Sequence, residues 1–286
     1  MTFYRAYTLA ILLLLSTIGN IQSAMAESQW LTLPPTPTLP ATKQSGYTTI
    51  NGAKIWYAVY GRGDPVILLH GGLANSNYWG HQVRALAKKY QVIVMDSRGH
   101  GRSSNNNITG YTYETMTDDV LGLMNFLKIK RAAIVGWSDG AIIGLNIAIR
   151  HPGRITKLFA FGANSDPNGV QDPPANSAFT TYVARTEREY QQLSPTPKNY
   201  KNFLTQIQQM WKTQPNLTKP QLNSIKAPTW IVDGDRDEGI KRENTQFIAN
   251  EIPNAGLLIL PQVSHFAFIQ NPEQFNAELL FFLGNK

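Results

Sequence analysis

Ser138, Asp237 and His265 are the residues whose types and order could carry nucleophilic chemistry. Ser138 stands in VGWSDGA, residues 135–141, between an apolar run and a stretch of small and aliphatic residues. Residues 136–140 satisfy Gly-x-Ser-x-Gly, which places a serine on a sharp turn from a strand into a helix. Such a turn exposes the hydroxyl and points the following amides at a nascent oxyanion. Side chains at Gly136 and Gly140 would collide with neighbouring backbone. Any turn rich in Gly and Ser matches five letters by chance. Here an apolar strand precedes the pattern and a helical pattern follows it, which is the context the chemistry needs.

A serine hydroxyl is a poor nucleophile near neutral pH, so it needs a base, and the base needs an orienting acid. Of the five histidines, His70 directly follows a strand, His81 begins a helix, His100 lies in the turn DSRGHGRS, and His151 ends the helix after Ser138. His265, in PQVSHFAF, follows the last strand at the carboxyl edge where a base must stand. The acid belongs to the loop after the preceding strand, IVDGDRDEG. Asp233 is still within the strand pattern and Asp235 follows the glycine turn. Asp237 lies furthest along the loop before the next helix, and is preferred. Asp235, Glu238 and, from a neighbouring strand, Asp166 are the alternatives. Stabilising the oxyanion requires N–H donors. The backbone of Asp139 supplies one, and Gly72 or Leu73 in HGGLANS the other. The carboxylate of Asp139 either caps the following helix, where negative charge is favoured, or meets a cationic substrate.

These residues need a frame that gathers strand ends. YTTINGAKIWYAVYG reads as a hairpin turning at Asn51-Gly52. After it, short apolar runs alternate with helical patterns. The runs are PVILLHGG, YQVIVMDSRGHG, AAIVGWS, ITKLFAFGA, TWIVDGDRDEG and GLLILPQVSHF. The helical patterns include HQVRALAKKY, TMTDDVLGLMNFLKI and NPEQFNAELLFFLG. That order predicts an α/β fold with a mostly parallel, doubly wound sheet and ligands beyond the carboxyl ends of its strands. Residues 164–223 interrupt the rhythm with a Pro/Asn/Gly-rich loop and two polar-aromatic helical stretches. Sixty residues exceed a mere connection, so the section is expected to form a helical cap over the site. Its Tyr182, Tyr190, Tyr200, Phe203 and Trp211 either line an acyl pocket or form the cap's own core.

The first 26 of the 286 residues read as an export signal. Arg5 supplies the positive charge, AYTLAILLLLSTIG the apolar region, and SAMAES small residues for cleavage after Ala26. The apolar stretch is short for a membrane span, so no stable anchor is expected after cleavage, and the location is secreted or periplasmic. The proline-rich residues 27–45 read as an extended tether and 46–286 as the folded domain. Cysteine is absent, which excludes disulfides and thiolate metal sites. The formal charge is +7, but the basic residues are scattered rather than gathered on one stripe, so nucleic acid is not the expected partner.

Together, LLHGG, MDSRGHGRS, VGWSDG, GDRDEG and VSHFAFIQNPEQF resemble the α/β-hydrolase superfamily from about Gly46 to the end. The resemblance implies Ser138 as nucleophile, Asp237 as acid and His265 as base, structural support from Arg98 and His100, and no cofactor or metal. A narrower likeness, GWSDG followed by FGAN, is to valacyclovir-hydrolase-like amino-acid-ester hydrolases. In these the acidic residue after the serine holds the substrate's α-ammonium group, a role that would fall to Asp139. The expected activity is hydrolysis of a small carboxylic ester through an acyl-enzyme. Alternatives on the same fold are carbon–carbon bond or enol-lactone hydrolysis, cofactor-free perhydrolysis, or a non-catalytic binding protein. Dehalogenase and most epoxide-hydrolase chemistry is disfavoured, because those relatives place Asp where Ser138 stands.

Overall fold

The computed structural model describes residues 28–105 and 110–285; the expected export signal, residues 1–26, lies outside them. Eight strands form one sheet: β1 (Ser45–Ile50), β2 (Ala53–Tyr60), β3 (Pro65–Leu69), β4 (Gln91–Met95), β5 (Ala132–Trp137), β6 (Ile155–Phe161), β7 (Thr229–Gly234) and β8 (Ala255–Leu260). Their order is β1-β2-β4-β3-β5-β6-β7-β8. The β1–β2 hairpin pairs antiparallel onto β4, and every pair from β4 to β8 is parallel. Asn51 and Gly52 both take positive φ, 48° and 77°, as a two-residue turn matching the twist of its strands requires.

The helices are α1 (Gly80–Leu86), α2 (Tyr113–Phe126), α3 (Asp139–Arg150), α4 (Ala178–Leu193), α5 (Tyr200–Thr213), α6 (Lys219–Asn223), α7 (Arg242–Glu251), α8 (Ala267–Gln270) and α9 (Pro272–Gly284). The expected doubly wound α/β architecture is thus present. The central strands are buried almost throughout, β5 at all six residues. Their apolar runs lack alternation because they are covered on both faces. No helix among the described residues is long and apolar enough to cross a membrane.

Residues 164–223 hold α4, α5 and α6, with no β-strand element among them. Helix α4 buries Ala178, Tyr182, Thr186 and Tyr190, one residue per turn. Helix α5 buries Tyr200, Phe203, Ile207 and Met210. Each is a single stripe on a polar helix, the pattern of a helix with one covered face. The stripes meet: Tyr190 stacks on Phe203 with ring centroids 4.9 Å apart, and Tyr200 lies 5.6 Å from Tyr190. Tyr190, Tyr200 and Phe203 are therefore the cap's own core.

The proline-rich segment runs along the body. Arg185 of α4 donates to the carbonyls of Leu33 (2.7 Å) and Pro34 (2.5 Å), and Gln270 donates to that of Thr32 (2.8 Å). In the turn after β4, Arg98 forks onto Asp119, with both bonds 2.5 Å, and the pair is 1% exposed at each side chain. His100 Nδ1 lies 2.9 Å from the carbonyl of Arg98. Both residues serve to hold this turn.

Candidate active site

The loops after β5, β6, β7 and β8 converge on one cavity of about 320 Å³. Ser138 follows β5 with φ 54° and ψ −118°, a left-handed conformation that a serine adopts only under constraint. The constraint is visible at its neighbours. A Cβ on Gly136 would lie 2.3 Å from the carbonyl oxygen of Gly140, and one on Gly140 would lie 2.1 Å from that of Leu69. The chain can turn this sharply only because both positions lack a side chain. Ser138 is half-buried and lines the cavity together with His265.

His265 Nδ1 lies 2.7 Å from Asp237 Oδ2, both side chains almost wholly buried. The other oxygen of Asp237 accepts the N–H groups of Gly239 and Ile240, each at 2.8 Å, so the loop wraps around the acid. Burial pushes Asp237 up to about 6, against the pull of the Gly239 and Ile240 N–H groups. Asp233, fully buried behind it, is pushed well above the carboxylate range by burial and by the Asp237 charge. Burial lowers the pKa of His265, which favours the neutral imidazole a base requires. The other acids considered lie elsewhere. Asp235 is exposed, beside Arg236. Asp166 accepts the N–H of Asn168 in its own turn. Glu238 is buried but accepts the backbone N–H of His265 at 3.3 Å and that of Phe179 at 2.9 Å.

The N–H groups of Gly72, Leu73 and Asp139 are buried and donate to no protein acceptor among the described residues. Leu73 is held at φ 66°. A Cβ on Gly72 would lie 2.5 Å from both Asp139 Oδ2 and Trp211 Cζ2. The second glycine of HGGL is thus demanded by a carboxylate and an indole pressed against the loop. From the cap, the buried Tyr182 hydroxyl donates to the Gly72 carbonyl at 2.5 Å.

Asp139 is 4% exposed and lines the cavity. Its carboxylate does not cap α3. Oδ1 accepts the Tyr113 hydroxyl (2.8 Å) and the Trp211 indole N–H (2.9 Å), which also reaches Oδ2 (3.1 Å). Burial pushes Asp139 up to about 6 against the pull of these two donors. Of the five cap aromatics, Trp211 alone is among the residues lining the cavity. Tyr113, Phe179 and Gln171 line it too and carried no sequence signal, since each is distant from the serine along the chain.

A family model described as the alpha/beta hydrolase fold matches residues 64–199. The human serine hydrolase BPHL is 27% identical over 245 residues, covering 81% of this chain and 84% of the relative. The 2-hydroxy-6-oxononadienedioate/2-hydroxy-6-oxononatrienedioate hydrolase of Comamonas testosteroni is 25% identical, covering 79% and 89%. A solved structure described as Est816, an N-acyl homoserine lactone degrading enzyme, superposes with a TM-score of 0.71 at 29% identity, covering 83% of this chain and 100% of its own. With the strand order, the turn at Ser138 and these likenesses in agreement, the chain belongs to the α/β-hydrolase superfamily and is a hydrolase.

Proposed function

We propose that this hydrolase cleaves small carboxylic esters, lactones among them, through an acyl-enzyme on Ser138, and that it is exported after cleavage behind Ala26. The observation that carries the reading is the left-handed Ser138 beside a buried His265–Asp237 pair, with unpaired N–H groups at Asp139 and in the Gly72–Leu73 segment. Ser138 Oγ attacks the carbonyl carbon as its proton passes to His265. The tetrahedral oxyanion takes the free N–H groups, and collapse expels the alcohol, which takes the proton from the imidazole. Water then repeats the sequence on the acyl-enzyme. A lactone is a cyclic ester and follows the same steps, in keeping with the description of the lactone-degrading neighbour.

Charge narrows the substrate. Asp139 and Asp172 line the cavity, and no lysine or arginine is among its lining residues. That opposes a dicarboxylate of the kind named for the Comamonas relative and suits a neutral or cationic one. That Asp139 is buried and bonded to no lysine or arginine among the described residues supports a substrate bearing an ammonium group. The test is a panel of p-nitrophenyl esters of increasing acyl length, amino-acid esters and lactones, run alongside fluorophosphonate labelling. Stoichiometric labelling that Ser138→Ala abolishes together with turnover is expected. Folded protein that neither labels nor turns over any of these would overturn the reading. Sequencing the exported protein should give Glu27 first, and an intact Met1 would remove the export claim.

A further inference from the structure

Glu238 follows the candidate acid in sequence, yet its carboxylate holds two backbone N–H groups rather than the imidazole. Oε1 accepts the Phe179 N–H at 2.9 Å, in the first turn of α4, and Oε2 accepts the His265 N–H at 3.3 Å. Its residue is 9% exposed. Phe179 in turn lays its ring 5.6 Å from that of His265 and lines the cavity. One carboxylate therefore joins the acid loop, the base loop and the leading end of the cap. Ser177 already serves the Thr180 N–H of the same helix end, so Glu238 is not needed as its only cap.

We propose that Glu238 is a positioning residue that registers the cap on His265, so that seating α4 over the cavity and orienting the imidazole are one event. The inference rests on the esterase reading above. A carboxylate gripping two N–H groups forms charge-assisted bonds, stiffer than neutral ones, and a small misplacement of a base costs rate steeply. Its charge also acts on the imidazole. The ionisable groups around His265 are Asp237 at Nδ1, Asp233 behind it, Glu238 at its backbone and Asp139 across the cavity, with the neutral Tyr182 on α4. Asp237 stands nearest to the ring, and Glu238 is among the further charges that favour its protonated form.

The test compares wild type, Glu238→Gln and Glu238→Asp, with active sites titrated by fluorophosphonate so that rates are per competent site. Glutamine keeps the size but offers one acceptor where two N–H groups need one each. It should lower kcat about tenfold, raise KM, and move the His265 titration to lower pH by about half a unit. Aspartate keeps the charge and should leave that titration near wild type while KM still rises. A merely structural cap would change thermal stability in both variants without moving the titration. The imidazole is followed by NMR, which needs no substrate. A titration within 0.1 unit and kcat within about twofold in Glu238→Gln overturns the proposal. Absence of labelling or turnover in wild type overturns the esterase reading instead, and the imidazole shift still decides the role of Glu238.

Discussion

The indole N–H of Trp211, on the cap, bridges both carboxylate oxygens of Asp139, the residue after the candidate nucleophile, at 2.9 and 3.1 Å. One acidic side chain thus links the floor of the site to its roof, and it does so while buried and without a cation in its bonds. Such a carboxylate is costly to ionise.

That cost sets a pH dependence. Burial raises Asp139 from 3.8 to about 6, so the folded state holds its proton more tightly than the unfolded chain. The penalty is absent below about pH 4, grows between about 4 and 6, and is complete above. Asp139→Asn carries no such penalty. Its stability relative to wild type should therefore improve by roughly 3 kcal/mol between pH 4 and pH 7.5, read from denaturant midpoints. A constant difference across that range would show that folding leaves the Asp139 pKa at its unfolded value.

The same substitution separates substrates. If the carboxylate meets an ammonium group, Asp139→Asn should lower kcat/KM for amino-acid esters about tenfold or more beyond its effect on neutral esters. Equal losses on both would leave Asp139 as a latch for Trp211 and Tyr113 alone.

Tyr182 holds the loop proposed to offer the second oxyanion donor. Leu73 at φ 66° is strained, and turning over the Gly72–Leu73 peptide would relieve it. The Tyr182 hydroxyl on the Gly72 carbonyl opposes that flip. Tyr182→Phe keeps the ring, packed 5.0 Å from Phe266 and 5.6 Å from Trp137, and removes the hydroxyl. The expected result is a fall in kcat of about tenfold at nearly unchanged KM, with weaker binding of a boronate that mimics the tetrahedral state. Unchanged kcat would separate the cap from the oxyanion site.

The rate should follow the neutral imidazole. Burial lowers His265, so the acid limb of kcat/KM is expected below the ordinary histidine value of 6.5, with activity lost as pH falls through it. Asp237, at about 6, titrates close by, and the limb belongs to the pair. Asp237→Asn should remove most of the activity by leaving Nδ1 without its carboxylate.

Gly140→Ala tests the turn itself. Its Cβ would stand 2.1 Å from the Leu69 carbonyl oxygen, against backbone that cannot move without parting β3 from β5. A loss of about 3 kcal/mol or more, or failure to fold, is expected in thermal or denaturant melts.

The sequence by itself determined the sheet, the turn at Ser138 and the ends from which a base and an acid come. Those features depend on local rules: apolar runs of strand length, glycines where no side chain fits, and loops at carboxyl ends. It preferred Asp237 to Asp235 and Glu238 only by place along the loop, because three acids within four residues differ in where the loop aims them. The tertiary structure decided that aim, turning Asp237 to the imidazole, Asp235 to solvent and Glu238 to two backbone amides. It likewise gave the Asp139 carboxylate to Tyr113 and Trp211, 26 and 72 residues away, rather than to its own helix. The Tyr113 contact arises when α2 packs against α3 and the Trp211 contact when the cap folds back over the sheet, and no local pattern in the chain encodes which side chains then meet.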